Sequence, residues 1–599
     1  MPDERRQLRS RRLQHAAVLG VLLLVVAWQL APAWKLGMDR AVPFGIVATS
    51  APLGEGQKAL RRADLTFYTW LTSRNARALL ANPLDIFDAE NCAPGENTLA
   101  LSAPGLGLGL LGIPALALSH DPIVTYNLVV AAMLLLAGLA MYLLILEWTG
   151  SAAAGLSAGL LYAFHAVRID RLLWIAEVDT TWTVLALLLS RRLFAGGRSR
   201  DAVLLGVVCC LQMVTSFYSF LASAVLGACF LVWLLRTYGL EHVQKKQLVL
   251  LGSFLVVFAA FLFTPYFELR AGGNLFERDF RAPLPLSAYL PGGPFFLGFS
   301  VWALVLVAFF KGKLGLRGKS PEDPRWAVGA GGLVVMILAA GWSLDYQLRE
   351  LWPGVPFEIP DFFYLLAQLL PGLENVRVVS LMGAGVHLAA CVLAGIGAAA
   401  LIRLAGRRKN LAQGFVLSLA ALDILAPPIP GFTAGGSAEG LDIRPSNESI
   451  HFFEQLEQAG PPGWILELPF DHGSGRTVTL APERILLSFY HRRRTSACYS
   501  AYPPQGRAAL ARSVQAPLDA AGIRTLKDQG FGLIVLHQRS RATNTYAGNL
   551  RQLALGLDPV LRPVLETPDR IAYALLPRPE GAAARGEPAS RPPDSGQEP

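Results

Sequence analysis

The sequence predicts an all-α polytopic transmembrane bundle of about eleven spans, followed by a small C-terminal α/β domain. Hydrophobic residues make up 53% of the 599 residues and charged residues only 16%, and the mean hydropathy is +0.40. A soluble protein would be about a quarter charged. The apolar residues also form long uncharged blocks, such as Ala16–Trp28 and Ile123–Leu146. In hydrocarbon such blocks must satisfy their own backbone groups, which favours helices.

The net charge of +9 does not indicate a nucleic-acid-binding protein. Lys and Arg lie mostly in short runs between the apolar blocks. This pattern is typical of membrane topology signals rather than of a basic binding face. We therefore expect membrane lipid, and no nucleic acid, as a partner.

The candidate spans follow the apolar blocks in chain order. A further apolar block, Leu99–Leu118, contains Pro104, Pro114 and several glycines, so its crossing is not decided by hydropathy. The spans cover approximately residues 15–34, 123–146, 150–166, 174–190, 201–217, 219–236, 247–267, 294–310, 327–343, 379–402 and 412–427.

The basic connections, which are the segments rich in Lys and Arg at the ends of the apolar blocks, decide the topology. All of them lie on the cytoplasmic side only if the block at 99–118 does not cross. We therefore predict that this block is interfacial or re-entrant, within a first outer loop at 35–122. The transmembrane region is then 15–427, in the inner (cytoplasmic) membrane, with the C-terminal domain in the periplasm. The basic connections are residues 1–14 (the cytoplasmic N-terminus), Arg191–Arg200, Arg236–Lys246, Lys311–Arg325 and Arg403–Lys409.

Residues 428–578 are predicted to form the extracytoplasmic α/β domain, because helical and strand patterns alternate there. Residues 579–599 are rich in Pro, Gly and charge and are predicted to be disordered. The helical patterns lie at Glu448–Gln458, Leu518–Gln529 and Leu550–Leu555, and the strand patterns at Trp464–Pro469, Phe531–His537 and Ile571–Leu576.

The cysteines and histidines match no metal or nucleophile motif. Four cysteines lie in apolar blocks, which indicates packing. Cys92 and Cys498 lie in polar surroundings, and the sequence leaves a disulfide between them open. His472, His491 and His537 in the C-terminal domain are interpreted as structural.

The first outer loop carries carboxylates that could do chemistry. Asp64 lies in an amphipathic helical stretch, and a carboxylate at the membrane face can deprotonate an acceptor hydroxyl as a general base. An acidic group follows, and several carboxylates could hold a divalent metal against a phosphate. Ordinary solvated loop charges are the competing interpretation. The acidic group comprises Asp85, Asp88, Glu90 and Glu96.

Ionisable residues also lie at the edges of the spans. Arg168, Asp170 and Arg171 occupy an outer turn, and Glu177 and Asp179 lie just inside the next span. Intramembrane carboxylates usually face a cavity, which predicts a water-filled outer cavity lined by Asp179 and Arg171. An ion pair between helices is equally compatible with the pattern.

Arg377 lies at the outer mouth of a predicted span, in the segment LPGLENVRVV. An arginine in this place can bind a lipid phosphate through paired hydrogen bonds. It can equally anchor the helix end by extending its guanidinium to the interface.

Most of the chain, in order, resembles bacterial glycosyltransferases of the GT-C class, which use polyprenyl-phosphate-linked sugars. The residues that carry the resemblance are Asp64 followed by Trp70, LDIFDAENCAPGENTLALS (Leu84–Ser102), DPIVTYNLVVAAMLLLAGLAMYLL (Asp121–Leu144), Thr149-Gly150, AGLLYAF (Ala158–Phe164), Trp182, SFYSF (Ser216–Phe220), PGLENVRVVS (Pro371–Ser380) and LELP (Leu466–Pro469).

The resemblance implies transfer of a sugar from a polyprenyl-phosphate donor to an extracytoplasmic glycan, lipid or protein acceptor. In that class a first-loop Asp is usually the catalytic base, and Asp64 occupies its position. Basic residues that suit the donor phosphate are Arg168, Arg171 and Arg377. Further candidate substrate-binding residues are Asp88, Glu90, Asp170, Asp179 and Tyr218.

The chain departs from the class where relatives often carry an acidic-His pair, a His before the Trp, and a second Arg. Here these positions hold Ala103-Pro104, Trp174 and Ser380. The alternative function is therefore a catalytically inactive GT-C-fold protein that binds lipid or glycan in envelope assembly. A transporter is disfavoured, because the halves show no repeat and no paired broken spans.

Overall fold

The structure is a computed structural model in which part of the chain is described. The predicted disordered tail at 579–599, His472, and positions 371–372 and 374–375 of the PGLENVRVVS segment lie outside the described residues. The described residues are 2–46, 55–273, 282–310, 323–352, 358–370, 373, 376–425, 437–470, 480–515, 518–538, 544–556 and 560–576.

The chain divides into two compact units. The first comprises residues 1–89, 97–444 and 500–503. The second comprises residues 90–96, 445–499 and 504–599. The second unit therefore includes a short piece of the first outer loop as well as most of the C-terminal region.

The first unit is mainly helical in its described part. Its helices are α1 (Pro2–Trp34), α2 (Glu55–Ala81), α3 (Leu106–Ser119), α4 (Pro122–Thr149), α5 (Ala152–Phe164), α6 (Ala166–Ile169), α7 (Ile175–Val178), α8 (Thr181–Phe194), α9 (Ser199–Thr215), α10 (Phe217–Tyr238), α11 (Lys245–Ala271), α12 (Phe299–Phe310), α13 (Arg325–Ala340), α14 (Ser343–Leu351), α15 (Phe362–Leu369), α16 (Gly383–Leu404) and α17 (Lys409–Leu425).

Seven helical segments among the described residues are long and apolar enough to cross a membrane, and an eighth is obtained if α13 and α14, bent by 99°, form one span. The prediction of a helical membrane bundle is confirmed. Three other predicted spans correspond to α9, α12 and α17, which have 17, 12 and 17 residues. A helix rises about 1.5 Å per residue, so these three are shorter than the roughly 30 Å hydrocarbon core. Their crossing stays a prediction. The seven are Arg12–Trp34, Pro122–Thr149, Ala152–Ile169, Leu172–Phe194, Phe217–Tyr238, Lys245–Ala271 and Val379–Leu404.

The ambiguous block at 99–118 contains α3, a helix of 14 residues. It is about 21 Å long and so shorter than the roughly 30 Å hydrocarbon core, and its position outside the membrane core stays a prediction. Glycines bring it close to its neighbours, because a Cβ added at Gly109 would lie 2.5 Å from Asn75 of α2. One added at Gly107 would lie 2.5 Å from Thr215 at the end of α9. Small residues thus let α3 pack closely against both helices.

A two-stranded antiparallel sheet joins distant parts of the first unit. Strand β1 (Ala41–Ile46) follows α1, and strand β2 (Ser437–Asp442) belongs to the segment beyond α17. Their register pairs Ala41 with Asp442. Arg444, just after β2, lies 3.2 Å from both Asp39 and Asp121. The chain after the last helix is therefore tied to the first outer loop.

The second unit is a small α/β domain, as predicted. Its strands are β3 (Trp464–Leu468), β4 (Phe531–His537), β5 (Leu561–Thr567) and β6 (Arg570–Leu575), in the sheet order β3-β4-β6-β5. Only β3 and β4 are parallel, and the other two pairings are antiparallel. Its helices are α18 (Asn447–Gln458), α19 (Ala481–His491), α20 (Arg507–Ser513), α21 (Ala520–Asp528) and α22 (Asn544–Gly556).

The pattern-based strands β3, β4 and β6 and helices α18, α21 and α22 are all present, whereas β5, α19 and α20 were not predicted. Strand β5 has only one of its seven residues buried, so its apolar signal is weak. Cys92 and Cys498 form a disulfide within the second unit. It joins the loop segment 90–96 to the rest of that unit, a pairing that the sequence left open.

Candidate functional site

Helix α2 places Asp64 and Tyr68 one turn apart on the same side of the helix. Polar side chains fix this helix at its C-terminal half. The Ser73 hydroxyl donates to the Pro122 carbonyl at 3.1 Å, and the Asn75 amide donates to the Pro104 carbonyl at 2.8 Å. With α3 packed against it, α2 provides a rigid support for both side chains.

Asp64 is half-buried and accepts a hydrogen bond from an indole. The Nε1 atom of Trp174 lies 3.3 Å from its Oδ2 atom. Trp174 is one of the positions at which the sequence departs from the class that it resembles. An indole N–H only donates, so it orients the carboxylate but cannot take up a proton.

Glu177 is buried, with only 3% of the residue exposed. The Tyr68 hydroxyl donates to its Oε1 atom at 2.8 Å, and the Ser216 hydroxyl donates to its Oε2 atom. Burial, followed by the charge of Glu177, raises the pKa of Tyr68 well above its usual value. Tyr68 therefore stays protonated and keeps its hydrogen bond to Glu177 at neutral pH.

A cavity of about 360 Å³ in the first unit has Glu177 in its lining. Tyr218, Arg270, Arg377 and Tyr502 also contribute to its walls. Most of the remaining wall is apolar, and much of it comes from α10 and α11. Its larger apolar side chains are Phe217, Phe220, Leu262, Phe263, Tyr266 and Phe267.

Arg270 and Arg377 bring two guanidinium groups to this cavity, and both residues are exposed. Arg270 lies in the last turn of α11. The backbone carbonyl of Arg377 accepts a hydrogen bond from the Ala282 amide at 2.8 Å, which holds this segment. A guanidinium matches the geometry of a phosphate and hydrogen-bonds it in a bidentate way.

Arg168 and Asp179, both predicted to bind substrate, form an ion pair with each other instead of lining this cavity. Each side chain is only 2% exposed. Arg168 also lies over the Tyr162 ring, 5.0 Å from its centre, and donates to the Thr181 hydroxyl at 3.3 Å. These contacts favour the ion-pair interpretation over the water-filled cavity for this pair.

Arg171 and Asp170 do not line the cavity either. Arg171 donates to the carbonyls of Val167 and Pro294, both at 2.9 Å, and its guanidinium lies 3.6 Å from the centre of the Phe295 ring. Burial lowers its pKa to about 10. The Oδ1 atom of Asp170 is buried with no hydrogen-bond partner among the described residues, and burial raises the pKa of this carboxyl to about 7.

The acidic group of the first outer loop is divided between the units. Asp88 is exposed in the first unit, where its backbone carbonyl accepts from Arg74 at 2.9 Å. Glu90 belongs to the second unit, and its carbonyl accepts from the Thr495 amide at 2.7 Å. Within the described ranges, no three His, Cys, Asp or Glu side chains are grouped so that they could hold a metal ion. Metal dependence stays a prediction without a site in this part of the chain.

Of the predicted site residues, the structure therefore places Tyr218 and Arg377 at the cavity. Asp64 is linked to it through α2, because Tyr68, one turn further along, binds the cavity residue Glu177. Arg270 and the hydroxyl partners of Glu177 were missed. The signal for Arg270 was present: an aromatic run, FLFTPYF, precedes it within the predicted span and its flank.

Three solved structures match the chain. A mutant of the arabinofuranosyltransferase AftD from Mycobacteria matches with a TM-score of 0.48 and 16% identity, over 95% of this chain and 42% of that one. ArnT from Cupriavidus metallidurans matches in its apo state with a TM-score of 0.38, and bound to undecaprenyl phosphate with a TM-score of 0.40. Both ArnT matches have 14% identity and cover 94% of this chain and 98% of that one.

The chain thus spans less than half the length of the AftD structure. No protein-family model matches the chain, and no curated protein sequence does. At these TM-scores, function has to be inferred from the chain's own residues.

Proposed function

We propose that this protein is a membrane glycosyltransferase that transfers a sugar from a polyprenyl-phosphate donor to an extracytoplasmic acceptor. The observation that carries the proposal is the cavity, which combines an aromatic and aliphatic wall with the guanidinium groups of Arg270 and Arg377. A polyprenyl phosphate has the same combination of a long apolar chain and an anionic head.

The two parts of the cavity suit the two parts of such a lipid. Each buried CH₂ group of a prenyl chain contributes about 0.8 kcal/mol, so the apolar wall supplies most of the affinity. Arg270 and Arg377 neutralise the phosphate and fix its place along the cavity. Tyr218, on the same wall, can donate a hydrogen bond to a phosphate oxygen.

In the proposed reaction Asp64 is the general base. It removes the proton of the acceptor hydroxyl as that oxygen attacks the anomeric carbon of the sugar. The bond between the anomeric carbon and the phosphate oxygen breaks, and the polyprenyl phosphate leaves with the electron pair. The additional negative charge that develops on the phosphate is stabilised by the two arginines.

The proposal also includes the predicted topology. The N-terminus is cytoplasmic, the protein lies in the inner membrane, and the reaction takes place at the extracytoplasmic face. The acceptor is a glycan, a lipid or a protein. This orientation is supported by the basic runs between the apolar blocks.

The decisive experiment replaces the base. Purified Asp64→Asn protein in lipid nanodiscs should transfer sugar from a labelled polyprenyl-phosphate donor roughly 100-fold more slowly or worse, because a base contributes about 10²–10⁴ in rate. Its affinity for undecaprenyl phosphate should not change. Asp85→Asn is the matched control, because Asp85 is exposed and bonds to Asn82. Full transfer by Asp64→Asn would remove the assignment of the base.

One observation favours the inactive alternative. The Trp174 indole that contacts Asp64 cannot accept a proton, whereas the His that relatives often carry at this position could. A wild-type protein that binds undecaprenyl phosphate tightly but neither transfers nor hydrolyses any polyprenyl-phosphate sugar would support lipid binding without catalysis.

A further inference from the structure

Glu177 has no role in the proposed reaction, although the residue lines the cavity. Only 3% of the residue is exposed, and the surrounding wall is mainly apolar. Burying a carboxyl group in such a place is costly unless partners compensate for the lost water. The hydrogen-bond partners of Glu177 therefore indicate the function of this carboxyl group.

Donors among the described residues satisfy only part of the hydrogen-bonding capacity of Glu177. Its Oε1 atom accepts from Tyr68 at 2.8 Å, and its Oε2 atom accepts from Ser216. An ionised carboxylate can accept about four hydrogen bonds. Within the described part of the chain, about two acceptor positions thus remain on this residue of the cavity wall.

The two hydroxyl donors also restrict the orientation of the carboxyl group. Tyr68 is carried by α2, the helix that holds Asp64, and Ser216 lies at the N-terminus of α10. The Tyr218 amide donates to the Ser216 hydroxyl oxygen at 3.2 Å, which leaves the Ser216 hydrogen directed at Glu177. The carboxyl group is thus held from two different elements.

A ligand that occupies the remaining acceptor positions of Glu177 must donate hydrogen bonds. A prenyl chain has no donor, and an ionised phosphodiester has none and would be repelled by the carboxylate. In the donor lipid of the proposed function, the hydroxyl groups of the sugar are the donors. The arginines and Glu177 therefore suit different parts of one head group.

We infer that Glu177 is a specificity-determining residue that binds a hydroxyl group of the transferred sugar, with Tyr68 and Ser216 as positioning residues. This inference rests on the proposed function, because it takes the occupant of the cavity to be a polyprenyl-phosphate sugar. Glu177 thereby distinguishes the glycosylated donor from the bare polyprenyl phosphate that remains after transfer.

The test compares three probes: undecaprenyl phosphate, undecaprenyl phosphoryl-glucose and undecaprenyl phosphoryl-arabinose. Their dissociation constants are measured for the full chain in nanodiscs. Wild type should bind at least one glycosylated probe more tightly than the bare lipid. Glu177→Gln should lower that preference roughly tenfold and Glu177→Ala up to roughly 100-fold, because a hydrogen bond to a charged group is lost. Affinity for undecaprenyl phosphate should stay the same or rise.

Tyr68→Phe tests the positioning role, because it removes the hydroxyl and keeps the ring. It should lower the preference by a few-fold without weakening the binding of the bare lipid. Glu147→Gln is the matched control, since Glu147 pairs with Arg192 at 2.8 Å and does not line the cavity. Thermal unfolding of each variant shows whether it is folded.

The outcomes separate this inference from the proposed function. Failure of wild type to bind any of the three lipids contradicts the proposed function itself. Equal affinity of wild type for all three lipids overturns only the inference. It is also overturned if folded Glu177→Gln and Glu177→Ala proteins keep the wild-type preference.

Discussion

Glu177 and Asp179 are two buried carboxyl groups at the start of one predicted span, yet they lie in different surroundings. Glu177 accepts hydrogen bonds from two neutral hydroxyls and lines the cavity. Asp179 pairs with Arg168 and is absent from the cavity wall. Glu177 can therefore still accept hydrogen bonds from a ligand, whereas the charge of Asp179 is compensated by the opposite charge of Arg168.

The comparison shows that an intramembrane carboxylate does not by itself identify a substrate site. A buried charge needs compensation, and an opposite charge inside the bundle provides it without any ligand. A carboxyl group that has only hydroxyl partners and a cavity beside it is the better candidate for binding. In this protein, the chemical type of the partner, hydroxyl or guanidinium, distinguishes the candidate ligand-binding carboxyl group from the structural one.

The largest effect is expected from breaking the ion pair. Asp179→Asn leaves Arg168 buried without its opposite charge, which should lower the free energy of unfolding by about 3–5 kcal/mol. Thermal unfolding in detergent measures the loss, and Arg168→Met combined with Asp179→Leu should recover part of it. A stable Asp179→Asn protein that had lost only donor binding would instead return Asp179 to the substrate site, as the sequence first predicted.

A smaller effect is expected at the arginines of the cavity. Arg377→Gln should weaken the binding of undecaprenyl phosphate roughly 10- to 100-fold, because a charge-assisted contact with phosphate is lost. Its unfolding temperature should not change, since the side chain is exposed. Arg407→Gln, in the exposed turn before α17, is the control. Unchanged lipid affinity in Arg377→Gln would favour the interfacial-anchor interpretation.

The smallest effect is expected from Asp170, a carboxyl group with neither a cavity nor a tight ion pair. Because burial raises its folded pKa to about 7, its contribution to stability is full below its unfolded pKa and is lost as the pH rises through 7. Wild type should therefore lose about 1–2 kcal/mol more than Asp170→Asn between pH 6 and pH 8. Unfolding at the two pH values measures this, and identical losses would show that Arg171 and Arg61 compensate the charge fully.

Much of the fold could be predicted from the sequence, because hydrophobic periodicity is a local property. Every predicted span corresponds to a helix, and the strand at Phe531–His537 has the predicted bounds. Strand β5 was missed, because only one of its seven residues is buried and the strand gives little apolar signal. The pairing of Cys92 with Cys498 could not be predicted, because the two residues are 406 positions apart.

The sequence by itself determined the class of molecule, the order of its elements and the identity of Asp64 and Arg377 as candidates. Composition and hydrophobic periodicity are properties of the sequence, so they can be recognised without knowledge of the tertiary structure. Only the tertiary structure decided which ionisable residues share a site. It paired Arg168 with Asp179, placed Arg270 beside the cavity with Arg377, and joined Tyr68 and Ser216 to Glu177. The physical reason is that compensation of a buried charge depends on contacts between helices, which the spacing of residues along one helix does not specify.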